Sequence, residues 1–142
     1  MVVDDEREIR DLLQTSLSAE GYEIVVASNG EEAIGVAKTG NPQVILLDIE
    51  MPGIDGIETC KRLVADKKTR LIPINMMTSR GDRYIEAYLG GAVDVVKKPF
   101  DIVQLAIRLK SMLRVRHLTN GLDRTLAYMM ELGNDLPSPE VS

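Results

Sequence analysis

Cysteine is nearly missing from this chain of 142 residues: Cys60 stands alone. One cysteine excludes an internal disulfide and a thiolate metal cluster, and it is compatible with a reducing compartment. A small buried position on a helix is the expected place for it. Long apolar runs are missing too. No segment approaches the roughly 20 residues that span a bilayer, and no charged start leads into an apolar signal region, so a soluble cytoplasmic protein without membrane contact is expected. An excess of positive charge is the third absence. Lysine and arginine number 17 against 22 acidic residues, giving a net charge of −5. Broad attraction to nucleic acid or anionic membrane is therefore not expected, and direct nucleic-acid contact would need another domain. With 44% hydrophobic residues the chain can bury a real core. Its length suits one compact domain plus an appendage, not two full domains.

Short β-branched or aliphatic runs recur at residues 1–3, 22–27, 43–47, 73–77 and 93–96. Amphipathic, helix-length stretches lie between them. The first, 8–19, places Ile9, Leu12, Leu13 and Leu17 on one stripe and stops at Glu20-Gly21. Asn29-Gly30 opens a second helix over 31–38, closed by Gly40-Asn41-Pro42, and Asp55-Gly56 opens a third through about Ala65. Asp82 is a candidate cap for a fourth, and Phe100-Asp101 for a fifth. Strands alternating with helices imply a parallel sheet covered on both faces, because parallel neighbours need crossovers. Val44-Ile45-Leu46-Leu47, with no polar alternation, reads as a central strand. In such sheets chemistry gathers outside the carboxyl ends of the strands.

Those ends bring Asp4-Asp5, Asp48, Thr78-Ser79 and Lys98-Pro99 to one edge. Crowded carboxylates repel one another unless a cation or the lysine offsets them, and a hard divalent ion such as Mg²⁺ suits oxygen-only donors. A carboxylate at the centre can attack phosphorus and form an aspartyl phosphate, whose oxygens the metal, Thr78 and Lys98 would hold. Each signal has a blander explanation alone: the acidic pair as a helix cap, Lys97-Lys98 as a solvated pair, Thr78 as a strand-end hydroxyl. Their conjunction in order along successive strands makes coincidence a poor account.

These residues resemble the receiver domains of two-component response regulators. Val2-Val3-Asp4-Asp5-Glu6 looks like that family's acidic opening, and residues 46–56, Leu-Leu-Asp-Ile-Glu-Met-Pro-Gly-Ile-Asp-Gly, match its phosphoacceptor segment. Thr78-Ser79 and Lys97-Lys98-Pro99-Phe100 complete the set. The match covers roughly residues 1–116. The resemblance implies a flavodoxin-like, doubly wound α/β fold with five parallel strands in the order 2-1-3-4-5. It implies Asp48 as phosphoacceptor with Thr78 and Lys98 as its catalytic partners. Asp5 and Asp48 would be direct Mg²⁺ ligands, with Asp4 acting through water and Glu50 through its backbone carbonyl. It also implies a cis bond before Pro99 and a sensor histidine kinase or phosphotransfer protein as donor.

Several positions depart from the pattern. Many members carry an aromatic switch residue three places before the lysine, where this chain has Val95. A valine is stiff and has no polar tip, so coupling must run through packing or backbone shifts. Tyr84 and Tyr88 could supply aromatic surface instead. Glu50 and Arg80, each two residues after a key position, are expected to pair over the site in at least one state and to tune the lifetime of the phosphate. Asn75, in an apolar strand, is expected to find hydrogen-bond partners. The first strand is short, about three residues: either it is so by nature or residues precede Met1.

Beyond the fifth helix, Val115, Leu118, Leu122, Leu126, Met129 and Leu132 continue an apolar stripe. Gly133-Asn134 reads as its stop and Pro137-Ser138-Pro139 as a disordered tail. A helix continuous from Ile102 to Leu132 would reach about 45 Å. This divides the chain into a receiver domain, 1–116, and a helical extension, 117–142. Homodimerisation through that extended helix is expected, or else through the face made by the fourth helix, fifth strand and fifth helix, with an output domain outside this chain. The alternative breaks the helix near Asn120-Gly121 and folds the segment back onto its own domain. Lys110, Arg114, Arg116 and His117 read as solvated charges on this helix.

The function that follows is a phosphorylation switch, not an enzyme acting on external substrates; it would catalyse only its own modification and dephosphorylation. Two alternatives stand beside it. A phosphohydrolase of the haloacid dehalogenase type uses a similar aspartate, hydroxyl, lysine and Mg²⁺, but places a second aspartate where Glu50 stands. A docking module independent of phosphorylation would keep the fold and drop the chemistry.

Overall fold

A computed structural model describes residues 1–135. The expected tail at Pro137-Ser138-Pro139 lies outside them. Five parallel strands, β1 (Val2–Val3), β2 (Val26–Ala27), β3 (Ile45–Asp48), β4 (Ile74–Thr78) and β5 (Asp94–Lys97), form one sheet in the order β2-β1-β3-β4-β5. Helices α1 (Arg7–Ala19), α2 (Gly30–Gly40), α3 (Gly56–Ala65), α4 (Tyr84–Leu89) and α5 (Ile102–Val115) follow the strands in turn, and a sixth, α6 (Gly121–Asp135), ends the described chain. The doubly wound order is the one the resemblance implied.

Local chemistry explains most of the boundaries. Asn29, Asp55 and Asp101 each accept a backbone N–H from the first turn of the helix they precede, which satisfies donors a helix otherwise leaves orphaned. Asp82 does not act this way. Its carboxylate pairs with Arg80 at 2.8 Å, and α4 is entered through a single 3₁₀ turn, Gly81–Arg83, with no side-chain cap. The paired part of β2 is shorter than its apolar run, two residues of the six.

Two apolar clusters flank the sheet. One holds Val3, Leu47, Met76 and Val95 with Ile57 and Leu63 of α3; the other holds Val2, Leu46 and Met77 with Leu13 and Leu17 of α1 and Leu105 and Leu109 of α5. Alternate residues of each central strand thus serve opposite faces. Cys60 is fully buried, its thiol bonded to the Gly90 carbonyl at 3.4 Å, and burial pushes its pKa up to about 12.

Of the two courses open to the C-terminal segment, the fold-back forms and the continuous helix does not. Leu118 N–H closes onto the Val115 carbonyl, and the Asn120 side chain then caps a new helix through Leu122 and Asp123 N–H at 3.0 and 3.1 Å. The chain turns back, and α6 packs against α5. Tyr128, 2% exposed, joins Met112 and Val115, with Val44, Val93, Leu118, Ala127 and Leu132 around them. Val44 and Val93 precede β3 and β5, so α6 lies at the amino edge of the sheet, opposite the strand ends that carry Asp48, Thr78 and Lys98. Arg114 makes a solvent-exposed pair with Glu131 of α6 at 3.0 Å, across helices and not within one. Gly133-Asn134 does not stop α6, which continues to Asp135; one glycine costs a helix only about 1 kcal/mol. The expected stripe is split: Leu118 and Leu132 face the domain, whereas Leu122, Leu126 and Met129 are exposed.

Candidate functional site

From β1 the chain passes directly into Asp4, whose side chain is wholly buried. Its two carboxylate oxygens have separate partners: Glu6 N–H donates to Oδ1 at 2.9 Å and the Lys98 ammonium to Oδ2 at 2.7 Å. Arg10 on α1 donates to the Asp4 carbonyl at 2.8 Å, fastening the first helix to this loop. Asp5 and Glu6 are exposed, and Asp4, Asp5 and Glu6 each place a carboxylate oxygen within 4.8 Å of the others. Glu6 was not singled out from sequence; its place beside the acidic pair was the available signal.

Asp48 ends β3 and is 3% exposed. Its Oδ1 lies 3.3 Å from Lys98 Nζ, so one ammonium bridges Asp4 and Asp48. Burial first, then the negative charge of Asp4, pushes the Asp48 carboxyl up to about 7, and Lys98 offsets this only in part. Burial opposes the charge on Lys98, but its bonds to Asp4 and Asp48 outweigh it and raise its pKa. Asp4 and Lys98 therefore make the tighter pair, and Asp48 is the surplus anion. The backbone around Asp48 is fixed by two glycines. Gly53 adopts φ +77° in the loop after β3, and a Cβ on Gly56 would sit 2.2 Å from the Asp48 carbonyl oxygen. Only a residue without a side chain lets α3 begin so close to the strand.

Thr78 ends β4, fully buried. Its hydroxyl donates to Glu50 Oε1 at 2.5 Å and accepts from Arg80 N–H at 3.0 Å, while Ser79 N–H reaches the same Glu50 oxygen at 3.3 Å. The expected Glu50 to Arg80 ion pair is not formed in this structure. Arg80 turns outward to its near neighbour Asp82, and Glu50 is taken by Thr78 and Ser79. The other Glu50 oxygen, Oε2, is buried without a hydrogen-bond partner. The Lys98-Pro99 peptide is cis, as the resemblance implied.

Asn75 corrects a further expectation. It is wholly buried, and neither its amide nitrogen nor its oxygen finds a hydrogen-bond partner. Its register neighbours are Leu46 and Asp94, and both oxygens of Asp94 are engaged elsewhere. Val95 lies in the core, 6% exposed, with Tyr84 packed against the same cluster. Tyr88 instead donates its hydroxyl to Asp94 at 3.2 Å.

The donor set fits a hard cation. It consists of carboxylate and carbonyl oxygens, the Asp48 carboxyl whose pKa burial and then Asp4 raise, and one buried Glu50 oxygen without a partner. Asp4 has both oxygens occupied, which suits the supporting role assigned to it and leaves Asp5 as the freer ligand.

Comparison with known proteins agrees with this geometry. The family model described as response regulator receiver domain matches residues 1–110. The chain is 42% identical over 117 residues to the alkaline phosphatase synthesis transcriptional regulatory protein PhoP of Bacillus subtilis, covering 80% of this chain and 48% of the relative. It is 39% identical over 137 residues to the response regulator PleD of Caulobacter vibrioides, covering 94% and 30%. The chain thus spans about half or less of the length of these curated relatives. Among solved structures, the receiver domain of NtrX from Brucella abortus superposes with a TM-score of 0.73 at 31% identity, covering 80% of this chain and 96% of that one. The chemotaxis protein CheY4 of Vibrio cholerae gives 0.71 at 31% identity, covering 80% and 93%. With five strands in the same order and the acidic, hydroxyl and lysine positions converging at their ends, this chain belongs to the receiver domain family of two-component response regulators.

Proposed function

We propose that Asp48 accepts a phosphoryl group from a histidine kinase or a phosphotransfer protein. The observation that carries this reading is a buried, surplus carboxylate whose nearest cation, Lys98, is shared with Asp4. An Asp48 oxygen attacks phosphorus, a phosphorus–oxygen bond forms, and the bond to the donor's leaving group breaks with its electron pair. Lys98 is already placed to accompany a new phosphoryl oxygen. Thr78 must first leave Glu50 before its hydroxyl can turn to that oxygen. Asp5, Asp48 and the Glu50 carbonyl, supported by Asp4, would hold Mg²⁺, which when bound supplies neutralisation of the crowded negative charge. The domain modifies itself and needs no external substrate beyond the donor.

Action in the cytoplasm, as one part of a longer regulator whose output domain lies outside this chain, completes the proposal. No helix among the described residues is long and apolar enough to cross a membrane. Homodimerisation through α4, β5 and α5 is supported by Ile85, Leu89 and Val103, exposed at 76%, 83% and 68%. Incubation with Mg²⁺ and acetyl phosphate, followed by intact mass measurement, tests the central claim. A gain of one phosphoryl group is expected in the native chain and none in Asp48→Asn; equal gains in both would sink it.

A further inference from the structure

The amino edge of the sheet carries a buried polar cluster that the acceptor site does not use. Asp94, the first residue of β5, is 6% exposed and is met from three helices. Tyr88 of α4 donates to Oδ1 at 3.2 Å, Arg108 of α5 to Oδ2 at 2.6 Å, and Tyr128 of α6 to Oδ2 at 2.5 Å. Burial and the Asp94 charge push the Tyr128 phenol far above its ordinary range. The opposite end of β5 leads into Lys98, which holds Asp4 and Asp48. Strand geometry puts roughly 13 Å between Asp94 and Lys98. The residue beside Asp94 is Val95, which has no polar tip to swing inward. β5 therefore begins at a polar junction binding α6 and leads, at its far end, into the acceptor site.

We propose that α6 is an intramolecular ligand of this edge, seated by Tyr128 on Asp94, and that phosphorylation of Asp48 loosens it through β5. The coupling rests on the reading of Asp48 as phosphoacceptor. A phosphoryl group adds about 1.5 to 2 negative charges. Lys98, held between Asp4 and Asp48, is drawn toward the new charge. Its backbone N–H also donates to the Thr78 carbonyl at 2.7 Å, so movement of Lys98 is passed to the pairing of β4 with β5. At the other end two donors converge on a single Asp94 oxygen, and short charge-assisted bonds lose strength steeply when displaced.

The remaining holds on α6 are modest. The Arg114 to Glu131 pair is solvent-exposed and contributes little. Arg124 reaches the Leu71 carbonyl at 2.8 Å, and a small apolar cluster adds to these among the described residues. The outward side of α6 carries Leu122, Leu126, Met129 and Met130, all exposed. Docking therefore covers only one of its two apolar sides. Linkage works in both directions: if phosphorylation weakens docking, weakened docking favours phosphorylation by the same factor.

Hydrogen exchange of residues 121–135 in the full chain, with and without acetyl phosphate and Mg²⁺, tests this, with intact mass read on the same samples. Protection of α6 is expected to fall about tenfold in the phosphorylated chain. Tyr128→Phe is expected to cause a similar fall with no donor present, while the amides of β3 and β4 stay protected. A phosphoryl gain with α6 exchange unchanged or slowed overturns the proposal and leaves the acceptor reading intact. So does Tyr128→Phe with wild-type exchange. No phosphoryl gain overturns the acceptor reading and removes the trigger, while the Tyr128→Phe result still decides whether Tyr128 seats the helix.

Discussion

Replacing Asp48 by asparagine should stabilise the fold in the absence of divalent cations. Burial and Asp4 raise the Asp48 carboxyl from 3.8 to about 7. A folded-state value above the unfolded one means that the folded protein holds this proton more tightly. The associated stability is therefore greatest below the unfolded value, declines as the pH climbs toward 7, and is lost above it. With 1.36 kcal/mol per unit, the ionised Asp48 costs on the order of 4 kcal/mol at pH 8 and about 1 to 2 kcal/mol at pH 5. Asparagine keeps the shape and removes the charge, and Lys98 retains its bond to Asp4 at 2.7 Å. Urea unfolding of both proteins in EDTA, from about pH 5 to pH 8, should show a gap that widens with pH. Magnesium should then narrow it, because an ion that binds only the folded wild type stabilises that protein alone. A gap independent of pH, or a variant less stable than wild type at pH 8, would refute the electrostatic account of the site.

Three other outcomes follow from particular contacts. Asn75→Leu, which removes an unpartnered buried amide, should raise stability by roughly 1 to 3 kcal/mol in urea titrations; a loss would mean that the amide is satisfied in solution. Gly56→Ala should cost more than about 2 kcal/mol, because its Cβ has no room beside the Asp48 carbonyl; wild-type stability by the same measurement would contradict that close approach. Glu50→Ala should change the decay of the phosphorylated form, because it releases Thr78, whereas Arg80→Ala should alter it by less than about twofold, its partner being the exposed Asp82. The loss of phosphoryl mass over time checks both.

The parts of the fold legible in the sequence were those with a local physical signature. Apolar runs marked the strands, and Asn29, Asp55 and Asp101 marked three helix starts by a preference that acts within one turn. Asp48, Thr78 and Lys98 could be placed together because strand ends share an edge, whatever the details of packing. Where the sequence left more than one arrangement open, competition between neighbours decided. Arg80 had two acidic candidates, and in this structure it pairs with the one two residues away in sequence, Asp82. The stripe from Val115 to Leu132 suited a long helix, yet Asn120 capped a new one and Tyr128 found a buried carboxylate that periodicity does not reveal. An acidic residue at the start of an apolar strand, Asp94 before Val95-Val96, was the one available hint.

The thiol of Cys60 lies beyond the reach of water. Alkylating dyes and spin labels should pass it by at neutral pH, since its thiolate is scarcely populated. A new cysteine on the outer side of α6, at Met130 for example, would then be the sole reactive handle. Distances from that helix to the rest of the molecule could be followed spectroscopically without first deleting a native residue.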